Sequence, residues 1–237
     1  MRESRKPPSF IEASRIVISF EAFLLYWRDP ILILILNNLI NLKTMLGYYL
    51  KRIILWVFRM GYSRGFGVQS PSAYSFLRYV VNEHYPYYAY QNLKNESGNV
   101  NPLITKLSCL YFRLANFCQS EIWYDYKAGN DIYKRYVVAG CKSTSFVSFS
   151  EVDDIDTYKI ARISLLGDYE KVYNHLASIA SNESLLIIEG IKRDKITRNF
   201  WKQVIEDNRT FVTYDLYYCG VVFFDSNKCK CNYKVNF

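Results

Sequence analysis

Hydrophobic positions along the chain follow two periods, and the change from one to the other divides the sequence. In the stretch that opens at Asn101–Pro102, Leu103, Leu107, Leu110, Leu114 and Phe117 recur at three- and four-residue spacing, which predicts a helix with one apolar face. From Glu121 onward, short β-rich runs predict strands at 122–126, 145–149, 159–165, 185–189, 210–217 and 221–224. Helical periods lie between them at 131–138, 169–180 and 195–206. Such alternation predicts a mainly parallel sheet with helices on its faces. Only Tyr218, Cys219 and Gly220 separate the last two strands, so these are expected to form an antiparallel hairpin.

Helix starts are marked twice. Ser70–Pro71 and Asn101–Pro102 each offer a side-chain oxygen to a free amide, followed by the residue best suited to the first helical position. The polar stretch 91–101 between them reads as a loop.

Residues 10–60 hold apolar runs, "IVISFEAFLLYW", "DPILILILNNLI" and "RIILWVF", each too short or too interrupted for the roughly twenty apolar residues of a membrane span. Lys43, Lys51, Arg52 and Arg59 flank them, which fits helices lying on a domain or on a membrane surface. Met45 opens a plausible shorter chain. The organisation read from this pattern is a helical extension over 1–60, a helical cap region over 61–118 and an α/β domain with a basic tail over 119–237.

Composition narrows the partners. A formal charge of +8 favours anionic ones. The 22 tyrosines make base stacking conceivable, but no zinc-finger, helix-turn-helix or RNA-recognition pattern is present, so nucleic acid is not the expected partner. Six scattered cysteines with no framework spacing predict reduced thiols and a cytoplasmic chain. Cys229-x-Cys231 has neither His84 nor His175 nearby in sequence, so no metal site is expected.

The candidate chemistry begins at "SEIWYDYKAGNDIYKRYV" (120–137), a strand, a short turn and a helix. That is the plan of a cofactor-binding loop, but the turn carries one glycine, Gly129.

Two motifs bracket this region. Gly67-Val68-Gln69-Ser70-Pro71 resembles a "G-[IV]-H-S-P" helix start, and "FVTYDLYYCGVVFF" resembles a closing strand pair with Asp215 and Gly220 in register. Together with "LYFRLANF", "DYEKVYNHL" and "ESLLIIEGIKRDKITRNFW", they resemble class I S-adenosylmethionine-dependent methyltransferase-like proteins common in Bacteroidetes, over roughly Lys43–Asp225. The resemblance implies a Rossmann-like α/β fold with a C-terminal hairpin, and transfer of a methyl group from S-adenosylmethionine to an acceptor that is not identified.

It also implies roles. Asp125, Lys127, Gly129 and Glu151 occupy cofactor positions: Asp125 for the amino group, Glu151 for the ribose, Lys127 and Gly129 in the turn. Glu189 would face the acceptor, with Lys192 and Asp215 as supporting polar groups on the catalytic side. The departures from the family are specific. Lys127 and Asp131 stand where it has glycines, and any positive φ required there becomes costly. Only "VDDIDTY" separates Glu151 from Lys159, where the family has a helix and a further strand. A parallel crossover needs about a dozen residues or more, so either strands two and three pair antiparallel or the sheet edge is rebuilt. "SLLG" (164–167) lacks an acid on the acceptor side, and Ile191-Lys192-Arg193 lacks the family's histidine and tryptophan. Three expectations follow: an active methyltransferase, a non-catalytic binding or assembly protein with weakened or lost cofactor binding, and peripheral membrane contact through residues 10–60, which is compatible with either.

Overall fold

The computed structural model describes residues 46–62, 68–83, 85–98, 100–127, 131–151 and 155–237. The apolar runs before residue 46 and the turn glycine Gly129 lie outside these described residues. By contact the chain divides into Met1–Leu50 and Lys51–Phe237. The sheet and its covering helices lie in the second unit.

Seven strands form one sheet: β1 (Ile122–Tyr126), β2 (Ser145–Phe149), β3 (Ile160–Ser164), β4 (Leu185–Glu189), β5 (Val212–Asp215), β6 (Cys219–Phe223) and β7 (Cys231–Lys234). Their order is β2-β1-β3-β4-β6-β5-β7. β1 pairs in parallel with β2 and β3, β3 with β4, and β5 with β7; β6 runs antiparallel between β4 and β5. The mainly parallel sheet expected from the alternating pattern is present, and its arrangement with helices on both faces is compatible with a Rossmann-like fold.

β3 and β4, "IARIS" and "LLIIE", are buried on both faces, so their side chains supply two cores at once. One core lies under α2 (Pro71–Phe76), the π-helical turn Leu77–Val81, α4 (Pro102–Cys118) and α5 (Asp131–Gly140). It takes Trp123, Ile160, Leu185 and Ile187 from the sheet, and Leu110, Leu114 and Val137 from the helices. The opposite face receives α6 (Tyr169–Ser178) and α7 (Lys195–Glu206), with Leu176, Trp201 and Val204 against Ile163, Leu186 and Val222.

Both expected helix starts are present. Ser70 Oγ accepts from the Ala73 amide at 3.4 Å, and Asn101 Oδ1 from the Leu103 amide at 2.9 Å, each with proline at the first turn. α7 starts on a reciprocal cap in which Asp194 and Thr197 each bind the other's backbone amide.

Several expectations from the pattern are corrected. Residues 91–101 were read as a loop for their polarity, but helix α3 (Tyr88–Ser97) covers most of them. It is anchored by Leu93 and by Tyr87 and Tyr90, whose rings lie 5.0 Å from Phe112, so tertiary aromatic packing replaces an amphipathic period. Strands β2 and β3 do not pair with each other. They flank β1 on opposite sides, so the rebuilt edge is the alternative that occurs, and β2 is an edge strand. The hairpin turn is Leu216–Tyr218, and Cys219 and Gly220 belong to β6. The basic tail adds a seventh strand, β7, in parallel beside β5. Phe117 leaves the buried face of α4 and is half exposed.

Gly220 shows why the closing motif has a glycine. It pairs with Asp215 in β5, and the six-membered ring of the Trp201 indole of α7 lies against it, where a Cβ would collide with the ring. Gly220→Ala is therefore expected to destabilise the protein by about 2–3 kcal/mol, the usual cost of overpacking a closed core. Urea unfolding of the two proteins measures this, and a change within experimental error would contradict the packing.

Candidate functional site

The order of the sheet reverses at β1 and β3: the chain leaves β1 for β2 on one side and returns to β3 on the other. In open α/β sheets the crevice beyond the carboxyl ends of two such strands is where ligands bind. Asp125 of β1 and Arg162 of β3 are register partners at this point.

Arg162 spans the reversal. Its Nε donates to Asp125 Oδ2 at 2.8 Å and its Nη2 to Oδ1 at 2.7 Å, a two-pronged ion pair between two fully buried side chains. Its Nη1 donates to Glu189 Oε2, on β4, at 2.8 Å. The Tyr111 hydroxyl of α4 donates to the same Glu189 oxygen at 2.6 Å, and the Tyr133 hydroxyl of α5 to Oε1 at 3.2 Å. The Arg162 guanidinium also lies 4.9 Å from the Tyr133 ring centre and 5.9 Å from that of Tyr111. Burial pushes both phenols well above their ordinary value, and the Glu189 charge pushes further in the same direction, so both remain protonated donors.

A second charged group lies at the same end of the sheet. Asp215, at the end of β5, takes Arg59 Nη2 on Oδ1 at 2.7 Å and Lys192 Nζ on Oδ2 at 2.8 Å. Oδ1 also accepts the Tyr217 amide at 2.9 Å, which fixes the hairpin turn where Tyr217 adopts φ 72°. Burial pushes the Asp215 carboxyl up, but its two cations more than offset this and hold it below the usual carboxylate range. Arg59 also donates to the carbonyls of Asp215 and Val235, so it joins the end of helix α1 (residues 46–58) to both β5 and the segment after β7. Burial alone pushes the Cys219 thiol up, and the negative charge of Glu189 adds to this.

No protein-family model and no curated protein sequence matches the chain. What the site can do therefore rests on its own atoms.

Asp125 and Glu189 are brought together, but through Arg162 rather than around an open space. Lys192 and Asp215 are in direct contact. Lys127 follows β1 with φ 55°, the left-handed backbone in a position where the resemblance leads one to expect glycine. Its side chain reaches the Gly167 backbone, beside the Tyr126 hydroxyl. Glu151 is exposed beyond the end of β2. A cavity of about 560 Å³ lies elsewhere, beside the start of β5, walled by Phe76, Tyr79, Phe117, Tyr214 and Phe223. It is apolar and at the opposite end of the strands from Asp125 and Glu189, so it is not part of the charged site.

The sequence reading missed Arg162, Tyr111, Tyr133, Arg59 and Lys106. Arg162 did leave a signal: an arginine inside "KIARISLL", an otherwise apolar central strand, needs a buried acid. The tyrosines left none, since two more in a chain of 22 do not stand out. Lys106 of α4 lies over the rings of Tyr218 and Phe237, at 5.8 and 4.3 Å from their centres. Burial pushes its amine down to about 8, and the positive charge of Arg52 adds to the fall.

Two outcomes are expected. Removing one member of a buried pair strands the other, so Arg162→Met should cost about 3–5 kcal/mol, and the double variant Asp125→Leu/Arg162→Met should lose less than Arg162→Met alone. Chemical unfolding of the set measures both, and a double variant less stable than Arg162→Met would contradict the pairing. In addition, acylation of Lys106 mapped by mass spectrometry should rise with a midpoint near pH 8, below the value of about 10.4 of a lysine in a model peptide.

Proposed function

We propose that this chain is a non-catalytic binding or assembly protein built on a class I methyltransferase-type scaffold. Kinship with that scaffold is supported by the order of strands and helices after Glu121, and by Asp215 facing Gly220 in the closing strand pair. One observation carries the loss of catalysis: both oxygens of the Asp125 carboxylate are bound by Arg162 at the point where the sheet reverses. Arg162 takes one lone-pair site on each oxygen of a carboxylate that is fully buried, so Asp125 presents no exposed oxygen to a ligand, and freeing it would leave an arginine charged and buried.

The residues present do not suit S-adenosylmethionine. Close approach of its methionine moiety calls for bare backbone in the turn after β1. Here Lys127 supplies a side chain from a left-handed backbone position. Glu189, a second acid of the carboxyl edge, is held by Arg162 and two tyrosines. With Asp215 held by Arg59 and Lys192, three acids and three bases at this end of the sheet are paired with one another, an arrangement suited to presenting surfaces rather than to transferring a group.

Calorimetry with S-adenosylmethionine on the full chain tests this. No saturable heat is expected at sub-millimolar ligand. Saturable heat that disappears in folded Asp125→Ala and Glu151→Ala variants would overturn the proposal in favour of an active methyltransferase.

A further inference from the structure

The helix over residues 46–58 (α1) is turned inside out. Its charged residues Lys51 and Arg59, at helical spacing, lie on the α/β domain, with Lys51 over the Tyr217 and Tyr218 rings and Arg59 bound to Asp215. Leu55, between them, is partly buried. The apolar residues face the other way: Ile53, Ile54, Trp56, Val57, Phe58 and Met60 are between 53% and 79% exposed. Tyr62 continues this surface at its end. An ordinary surface helix buries its apolar stripe and exposes its charges. A contiguous apolar surface of this kind marks an interaction site.

Charge around the helix indicates the partner. Arg52 is exposed on the helix, and the exposed Lys234 lies 6.0 Å from the Tyr62 ring. The carboxylate in contact with this end of the helix, Asp215, is already matched by Arg59 and Lys192. An apolar stripe bearing tryptophan and tyrosine, bordered by excess positive charge, has the chemistry of a helix lying in the interface of an anionic bilayer. The whole chain carries +8, which attracts it to the same surface. A second copy of the chain would bring like charge against like.

We propose that the outward face of residues 53–62 docks on an anionic lipid surface, its apolar side chains entering the headgroup boundary and the exposed Arg52 and Lys234 at its margin meeting the lipid phosphates. The proposal is independent of whether the α/β domain binds S-adenosylmethionine.

Flotation of the full chain with vesicles tests it, comparing phosphatidylcholine alone with a mixture containing phosphatidylglycerol. The wild type should float with the anionic vesicles and far less with the neutral ones, and rising salt should weaken the binding. The variant Ile53→Ser/Trp56→Ser/Val57→Ser should lose at least about tenfold in partitioning while keeping the wild-type circular dichroism. Three results would overturn the proposal: no flotation of the wild type, unchanged flotation of the folded variant, or a variant whose measurable change is in oligomeric state. The last would assign the face to a second copy.

Discussion

The buried guanidinium of Arg162 is the constraint around which the rest of this protein is arranged. An arginine in a central parallel strand has no water to solvate it, and the cost of desolvating a charge is several kcal/mol even after relaxation. Its five donors must therefore meet acceptors held in a fixed geometry. Asp125 is the register partner one strand away, and Glu189 ends the next strand on the other side. The Glu189 charge in turn needs donors, and these come from helices: Tyr111 of α4 and Tyr133 of α5. Three strands and two helices are thus fixed relative to one another by a single set of polar contacts.

The same contacts determine the chemistry of this end of the sheet. The crevice at a reversal of strand order owes its usefulness to unsatisfied polar groups at the strand ends. In this chain those groups satisfy one another. Asp215 follows the same rule one strand pair further on, where Arg59 and Lys192 neutralise it and secure the hairpin turn. A carboxylate that closes a buried ion pair adds rigidity and specificity at the expense of reactivity.

Arg59 connects this sealed end to the outward-facing helix. With its charge committed to Asp215 and its remaining donors to the carbonyls of Asp215 and Val235, it holds the last turn of the helix by its polar side. The apolar side is left outward as a consequence, because a helix fixed through its lysine and arginine positions cannot also bury the opposite stripe against the same domain. The charged end of the sheet and the apolar helix face are in this sense one arrangement: paired charges inside, exposed apolar side chains outside.

Local pattern determined most of the α/β architecture. The six strands after Glu121, the helices between them and both proline-marked helix starts follow from periods of two and 3.6 residues and from capping chemistry, which act over a few residues. The charged cluster was only partly legible. Asp125, Glu189, Lys192 and Asp215 stood out as acids and a base at strand ends, but their partners lie far off in sequence: Arg162 is 37 residues from Asp125, and Arg59 is 156 residues from Asp215. Tertiary structure alone decided that α3 forms from a polar stretch stabilised by tyrosine rings, that the tail joins the sheet as β7, and that β2 and β3 flank β1. Each of these depends on surfaces that exist only once distant segments have packed, and no local period encodes which carboxylate a buried arginine will meet.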